Sequence, residues 1–401
     1  MNQVQADEKL VSRFQSYQKI SLIVGVLGVL ALIGGFFLGA DDFFQSYLIG
    51  WVFWIQVALG ALVILLIQNT VGGRWGLVIQ RVVEAATQTL PLLAILFIVI
   101  IIGIPQLYEW SHAEVVAHDE LLQAKAPYLN TPFFILRAVI YFTIWIGMAW
   151  LLRKWSVALD NDPDNAALRK KLRNLSAPGI LIFGFTVTFA SVDWMMSIEP
   201  HWYSTIYGMM FGVGALAAGF AFSVVLLMGM IKYKPWSEII QTIDISDLGN
   251  WLLASIMLWA YLAFSQFLII WSANLPEEIP WYLKRSTGGW EWVAMINVFL
   301  HFFLPFFFLL VRGTKKAPGR LKTIAWLVLV MRFVDLLWMI YPAYSPGKLA
   351  LPWLSIAALL GIGGLFLTIF FRQLSQVSIP PTYDSRLPVT NVSEEAHGHV
   401  S

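Results

Sequence analysis

The chain has 401 residues, of which 58% are hydrophobic and 12% charged, with a formal net charge of +2. A soluble domain carries about 25% charged residues, so the composition excludes an ordinary water-soluble fold and leaves a polytopic membrane protein whose spans must each satisfy their own backbone hydrogen bonds. The near-neutral balance gives no nucleic-acid partner, and the lack of cysteine excludes thiolate-ligated iron–sulfur clusters, thiolate zinc sites, disulfides and thiol catalysis on this chain.

Ten apolar stretches are long enough to cross a bilayer, near 20–39, 43–67, 85–104, 132–152, 178–197, 205–231, 248–271, 291–312, 321–342 and 351–371. They predict an all-α integral membrane domain over 20–371, between a polar N-terminal segment (1–19) and a polar tail (372–401). The polar stretch before the first span is too long for the n-region of a cleaved signal peptide, so that span reads as a retained helix. No gap between spans exceeds about 25 residues by much, which leaves no room for a soluble enzyme domain.

The first span carries Gly25, Gly28 and Gly35, a small-residue set suited to close helix packing. Glu84, Thr87 and Gln88 mark the start of the third span, before Pro91, and Arg137 lies one turn into the fourth. On the fifth, Thr186, Ala190, Asp193 and Ser197 share one helical stripe, with Glu199 and His201 following at the turn. Small residues return on the sixth as Gly208/Gly212 and Ala215/Gly219. The seventh places Tyr261 and Ser265 one turn apart beside Gln266, and the loop after it carries Glu277 and Glu278.

His301 lies about 15 Å into the eighth span at 1.5 Å per residue. Asn297 stands one turn before it and Pro305 one turn after, which predicts a bend. Of six histidines this is the only one deep in a span, which argues against a haem with two histidine ligands inside this chain. On the ninth span Arg332 and Asp335 are three residues apart, on one face, and can pair. The tail is polar and proline-containing and reads as disordered unless a partner orders it; its His397 and His399 read as solvated.

Positive charge sets the orientation. Twenty of the 26 Lys and Arg fall in the N-terminal segment, the even-numbered loops and the tail, from Lys9 and Arg13 to Arg372 and Arg386. Lys125, Lys284, Arg285 and Lys348 are the four in odd-numbered loops, so both termini are predicted to be cytoplasmic. Trp194, Trp202, Trp271, Trp281, Trp290 and Trp292 then fall at the outer boundary, as an aromatic belt or a partner-docking rim.

Ionisable groups inside a bilayer are costly and mark functional positions. The proton-path candidates are Glu84, Gln88, Arg137, Asp193, Glu199, His201, Tyr261, Ser265, Glu277, Glu278, His301, Arg332 and Asp335. A bland reading stands beside each: Arg332 and Asp335 as a self-neutralised structural pair, His301 as a satisfied interior histidine, Glu277 and Glu278 as solvated acids. A relay needs exchangeable groups at both ends and the middle of the bundle, and so does a bundle held by interhelical hydrogen bonds. No catalytic or metal-binding residue is assigned.

The strings SVDWMMSIEPHWYSTIYG (191–208), WAYLAFSQFLIIWSANLPEEIPWYLKR (259–285), HFFLPFFFLLVR (301–312) and MRFVDLLWMIYP (331–342) resemble the smaller polytopic membrane subunits of bacterial alternative complex III, the ActF family. The resemblance runs from the second span to the ninth. It implies an NrfD-like fold of the polysulfide-reductase membrane-subunit type: two four-helix bundles, spans two to five and six to nine, flanked by the first and tenth. It also implies a place in the bacterial inner membrane, in a respiratory quinol:cytochrome c oxidoreductase. Expected partners are a larger NrfD-like quinol-binding subunit, an iron–sulfur subunit, multihaem and monohaem cytochrome c subunits and a terminal oxidase, with membrane lipids around them. Haem c and the iron–sulfur clusters would reside on those partners, leaving quinone or lipid as the ligand open to this chain.

In the larger sister subunit a histidine and an aspartate of the first bundle handle the quinol. Here spans two to five contain Asp193 but no histidine, since His112 and His118 fall in a loop. That departure favours a proton path and scaffold over quinol oxidation. The expected route runs from Glu84 through His301 and the Arg332/Asp335 pair to Asp193 and His201. The alternatives are a second quinone-binding subunit of the same complex and a stand-alone proton-coupled transporter, for which isolated prolines such as Pro91 and Pro305 give little support.

Overall fold

The computed structural model describes residues 8–349, 353–381, 383–384 and 386–387; His397 and His399 lie outside them. Ten helices are long and apolar enough to cross a membrane: α1 (Lys9–Leu38), α2 (Ala40–Val71), α3 (Gln80–Ile102), α4 (Thr131–Asn161), α5 (Ala166–Ile198), α6 (Tyr207–Met230), α7 (Thr242–Ala273), α8 (Trp290–Leu310), α9 (Pro318–Ala343) and α10 (Trp353–Leu374). No strand occurs among the described residues. The protein is therefore an all-helical, multi-pass membrane protein.

Several helices overrun the apolar stretches that announce them. α1 is helical from its first described residues, so 8–19 continue the span rather than forming a separate segment. Local chemistry fixes the starts: Asn130 Oδ1 accepts from the Phe133 amide at 2.9 Å before α4, and Asn165 Oδ1 from Leu168 at 3.0 Å before α5. Gln241 and Asp244 form a reciprocal capping box at α7. These caps satisfy amides that the first turn leaves without partners.

α2 is the axis of the molecule. Its apolar residues are buried around the whole circumference, which is the pattern of a helix enclosed on all sides. It packs against α3, α5, α6, α9 and α10; α6 in turn packs on α5, α7 and α9, α4 on α3 and α5, and α8 on α7 and α9. α1 lies along α10. Two of these approaches require glycine. A Cβ on Gly28 would stand 2.4 Å from the Gly361 backbone, and one on Gly60 would stand 1.9 Å from the Ala215 carbonyl oxygen. Of the expected small-residue sets, Ala215/Gly219 and Gly25/Gly28 lie at such contacts, while Gly212 meets its neighbours at ordinary distance.

The chain alternates direction, so one face of the bundle carries both ends of the described chain and is called the terminal face below. The tail does not leave it at once. Ile379, Tyr383 and Leu387 are buried, and Arg74 donates to the Arg386 carbonyl and to Ile239 O at 2.7 Å. The expectation of a disordered tail thus fails for the described residues after α10, where three largely apolar side chains find a surface to bury. On the opposite, far face the 103–130 connection folds over the bundle: Tyr108 donates to Trp194 O at 3.0 Å and Lys125 to Pro200 O at 2.6 Å. The tryptophans do not form one rim. Trp194, Trp202, Trp281 and Trp290 are buried, with Trp194 edge-on to Trp51 at 4.9 Å, and only Trp271 and Trp292 are exposed.

Candidate functional site

Charged side chains gather at three depths. At the terminal face Glu84 is 2% exposed. It accepts from Arg81 at 2.7 Å and from Gln80 at 2.9 Å. Arg81 also pairs with Asp160, and Gln80 reaches Ser156 at 2.9 Å and the Tyr383 hydroxyl. Gln88 donates to Ala149 O at 3.3 Å. Sequence reasoning found Glu84 and Gln88 here but missed Arg81, Asp160 and Tyr383, which arrive from three separate segments.

In the middle, Arg332 pairs with Asp335 one turn along α9, and its Nε donates to Gln56 Oε1 on α2 at 2.9 Å. Both members of the pair are buried. Gly214 of α6 makes room for the guanidinium: a Cβ there would sit 2.6 Å from Arg332 Cζ. His301 is 1% exposed, its ring packs tilted against Trp259 with centroids 4.1 Å apart, and its Nδ1 has no hydrogen-bond partner among the described residues. It belongs to a π-helical turn, Asn297–Phe303, that interrupts α8. Pro305 explains the interruption, since it lacks the amide that would bond the His301 carbonyl and its ring would strike that carbonyl in a regular helix. Asn297, one turn earlier, is 5% exposed with both side-chain polar atoms unpaired. It lines a groove of about 570 Å³ between α7 and α8, whose walls include Trp259, Phe264, Phe302 and Asp335.

Near the far face Arg137 grips Asp193 with two hydrogen bonds, Nε to Oδ2 at 2.9 Å and Nη2 to Oδ1 at 2.8 Å. Tyr141 donates to the same carboxylate at 2.9 Å, and the guanidinium lies over the Tyr128 ring at 3.8 Å. Glu199 takes different partners, Lys284 at 2.9 Å and Arg285 at 2.6 Å. Burial pulls the Arg285 guanidinium below its ordinary pKa, and Glu199 opposes that. His201 is paired with Asp119, 2.6 Å from its Nε2. The Leu122 amide, and then His201, hold Asp119 below the usual carboxylate range.

Asp193, Glu199 and His201 are thus neighbours in sequence that bond to three different elements. Tyr261 is 66% exposed on the outer surface of α7, Ser265 is half-buried, and the inward residue of that turn is Gln266, which links Ser204 at 2.9 Å and Tyr282 at 3.3 Å. Glu277 is exposed and Glu278 half-buried, neither in an ion pair among the described residues. No cluster of three or more His, Asp or Glu side chains suited to a metal ion occurs among the described residues. Gln56 was the signal left unread: a lone amide in the middle of an apolar 32-residue helix. Comparison with known proteins finds no matching family model and no matching curated sequence.

Proposed function

We propose that this chain is the proton-conducting scaffold subunit of a respiratory quinol:acceptor oxidoreductase in a bacterial inner membrane. The observation that carries the reading is the mid-depth group: a buried Arg332–Asp335 pair, and a buried His301 with a free ring nitrogen. An ion pair in the hydrocarbon region is expensive, and imidazole is the side chain best suited to exchanging protons near neutral pH. Clusters near either end, around Glu84 and around Asp193, give the pair a side to draw from and a side to release to. Water would bridge the intervals between them.

On this reading α2–α5 and α6–α9 form two four-helix bundles flanked by α1 and α10, and the terminal face is cytoplasmic. The packing of α2 on α3 and α5, and of α6 on α7 and α9, supports the grouping. The excess of Lys and Arg in the terminal-face loops supports the orientation. The redox centres and the sister quinol-binding subunit lie on partners, which dock at the far face beside Glu199, His201, Glu277 and Glu278. Coupling is electrostatic or conformational: opening of the Arg332–Asp335 pair frees Asp335 to take a proton. Moving one charge against 100 mV costs about 2.3 kcal/mol, which is within what separating such a pair can supply or demand.

The test is proton release per electron in the reconstituted complex. Asp335→Asn and His301→Ala should lower the ratio while electron transfer continues. Unchanged stoichiometry in both variants removes the proposal, whereas failure to assemble points to a structural role alone.

One observation favours a second reading, a quinone-binding role. The unpaired amide of Asn297 can both donate and accept, and the α7–α8 groove has aromatic walls and falls within the roughly 300–1,000 Å³ of ligand sites. Asn297 would hold a ring oxygen there, and the bound quinone would supply the two-electron chemistry. Loss of quinol-analogue binding in Asn297→Leu, with proton stoichiometry intact, would select this reading over the first.

A further inference from the structure

A second groove lies between α1, α6, α9 and α10. Its volume is about 560 Å³, and its walls are apolar apart from Ser21 and the terminal-face end, where Arg13, Tyr17, Tyr233 and Lys322 stand around the mouth. The Arg13 guanidinium lies over the Tyr233 ring at 4.9 Å. No carboxylate pairs with Arg13 or Lys322 among the described residues. Two cations therefore face one opening with no acid paired to them among the described residues.

The groove's length identifies what fits. Along α1 its lining runs from Leu10 to Val24, and along α10 from Leu359 to Leu374. At 1.5 Å per residue that is about 21 Å, close to half of the 40–45 Å bilayer including headgroups. The groove thus starts at headgroup level and ends near the mid-plane, spanning one leaflet. An acyl chain reaching from headgroup to mid-plane matches that length, whereas a membrane-spanning partner helix would need the full thickness.

We propose that this groove holds an acyl chain of an anionic glycerophospholipid, with the phosphodiester between Arg13 and Lys322. Basic pockets between membrane helices on the cytoplasmic side bind anionic headgroups in this way, by charge at the mouth and apolar contact below. Two close glycine contacts, Gly28 on Gly361 and Gly25 on Gly364, hold α1 against α10 and so keep one wall of the groove in place. The lipid would fill what the four helices leave open and couple their packing to the composition of the leaflet. The proposal is independent of any proton-path role.

The test uses the full chain in vesicles of equal parts dioleoylphosphatidylglycerol and dioleoylphosphatidylcholine, extracted gently and weighed intact by native mass spectrometry. Phosphatidylglycerol should be retained selectively, at about one molecule per chain. The double variant Arg13→Gln/Lys322→Gln should lower its retention about 30-fold, the loss expected for two surface cations. Leu360→Trp, which fills the groove, should remove the lipid without lowering the melting temperature. Equal retention of both lipids by the wild-type chain overturns the proposal without reference to any variant. So does undiminished phosphatidylglycerol in the double variant, or a co-purifying polypeptide cross-linked at position 360 in place of lipid.

Discussion

Arg137 and Asp193 show what one residue decides in this protein. The carboxylate is fully buried and spends its oxygens on Arg137 and Tyr141, so removing the arginine leaves an uncompensated charge among aromatic rings. Arg137→Met should destabilise the protein by about 3–5 kcal/mol, while Arg137→Met with Asp193→Leu should recover most of the loss; thermal unfolding in detergent measures both. A double variant as damaged as the single would mean that the pair does more than balance itself. The two residues were visible in the sequence as separate oddities, but their pairing was not, because 56 residues separate them and no helical period connects them. Arg332 and Asp335 were legible as a pair because three residues along one helix set the distance. Their third partner, Gln56, comes from 276 residues away and was not.

Elements reveal where pattern stops. The number and order of the helices could be read from hydropathy, since each span must be long and greasy on its own account. The π-helical turn in α8 could not: Pro305 foretold a bend, but the bend takes the form of a widened turn that leaves His301 facing Trp259. The α1–α10 contact rests on glycine, so Gly361→Val, which sets a side chain against the Gly28 backbone, should cost at least about 1–3 kcal/mol and loosen α1. Proteolysis of α1 in detergent reads this out, and wild-type resistance would contradict the contact. The tail offers a pH-dependent counterpart. Burial pushes the Tyr383 phenol up to about 12. Because its folded pKa is raised, the tail's docking is fully stable below the ordinary tyrosine value of about 10 and is lost as pH rises through about 12. Ultraviolet titration against Tyr383→Phe isolates the group; a Tyr383 phenolate already formed at pH 10 would mean that the tail is not docked.

For the molecule as a whole, sidedness is the property with the widest reach, because it decides which cluster faces which compartment. The chain has no cysteine, so single introduced thiols report without background. Gly319→Cys, with open space around its Cβ, marks the terminal face, and the exposed Glu114→Cys marks the far face. With cytoplasmic termini, a membrane-impermeant maleimide added to spheroplasts should label position 114 at once and position 319 only after lysis; the reverse order would invert the whole scheme. The central position of α2 has a further consequence, for how the protein is made. Ribosomes deliver α2 long before α6, α9 and α10, so the helix destined for the centre first meets the bilayer without most of the neighbours that will enclose it. During that interval Gln56 sits in hydrocarbon with no arginine to bind. The cost of holding that amide in lipid is therefore met early, before the last third of the protein has been translated.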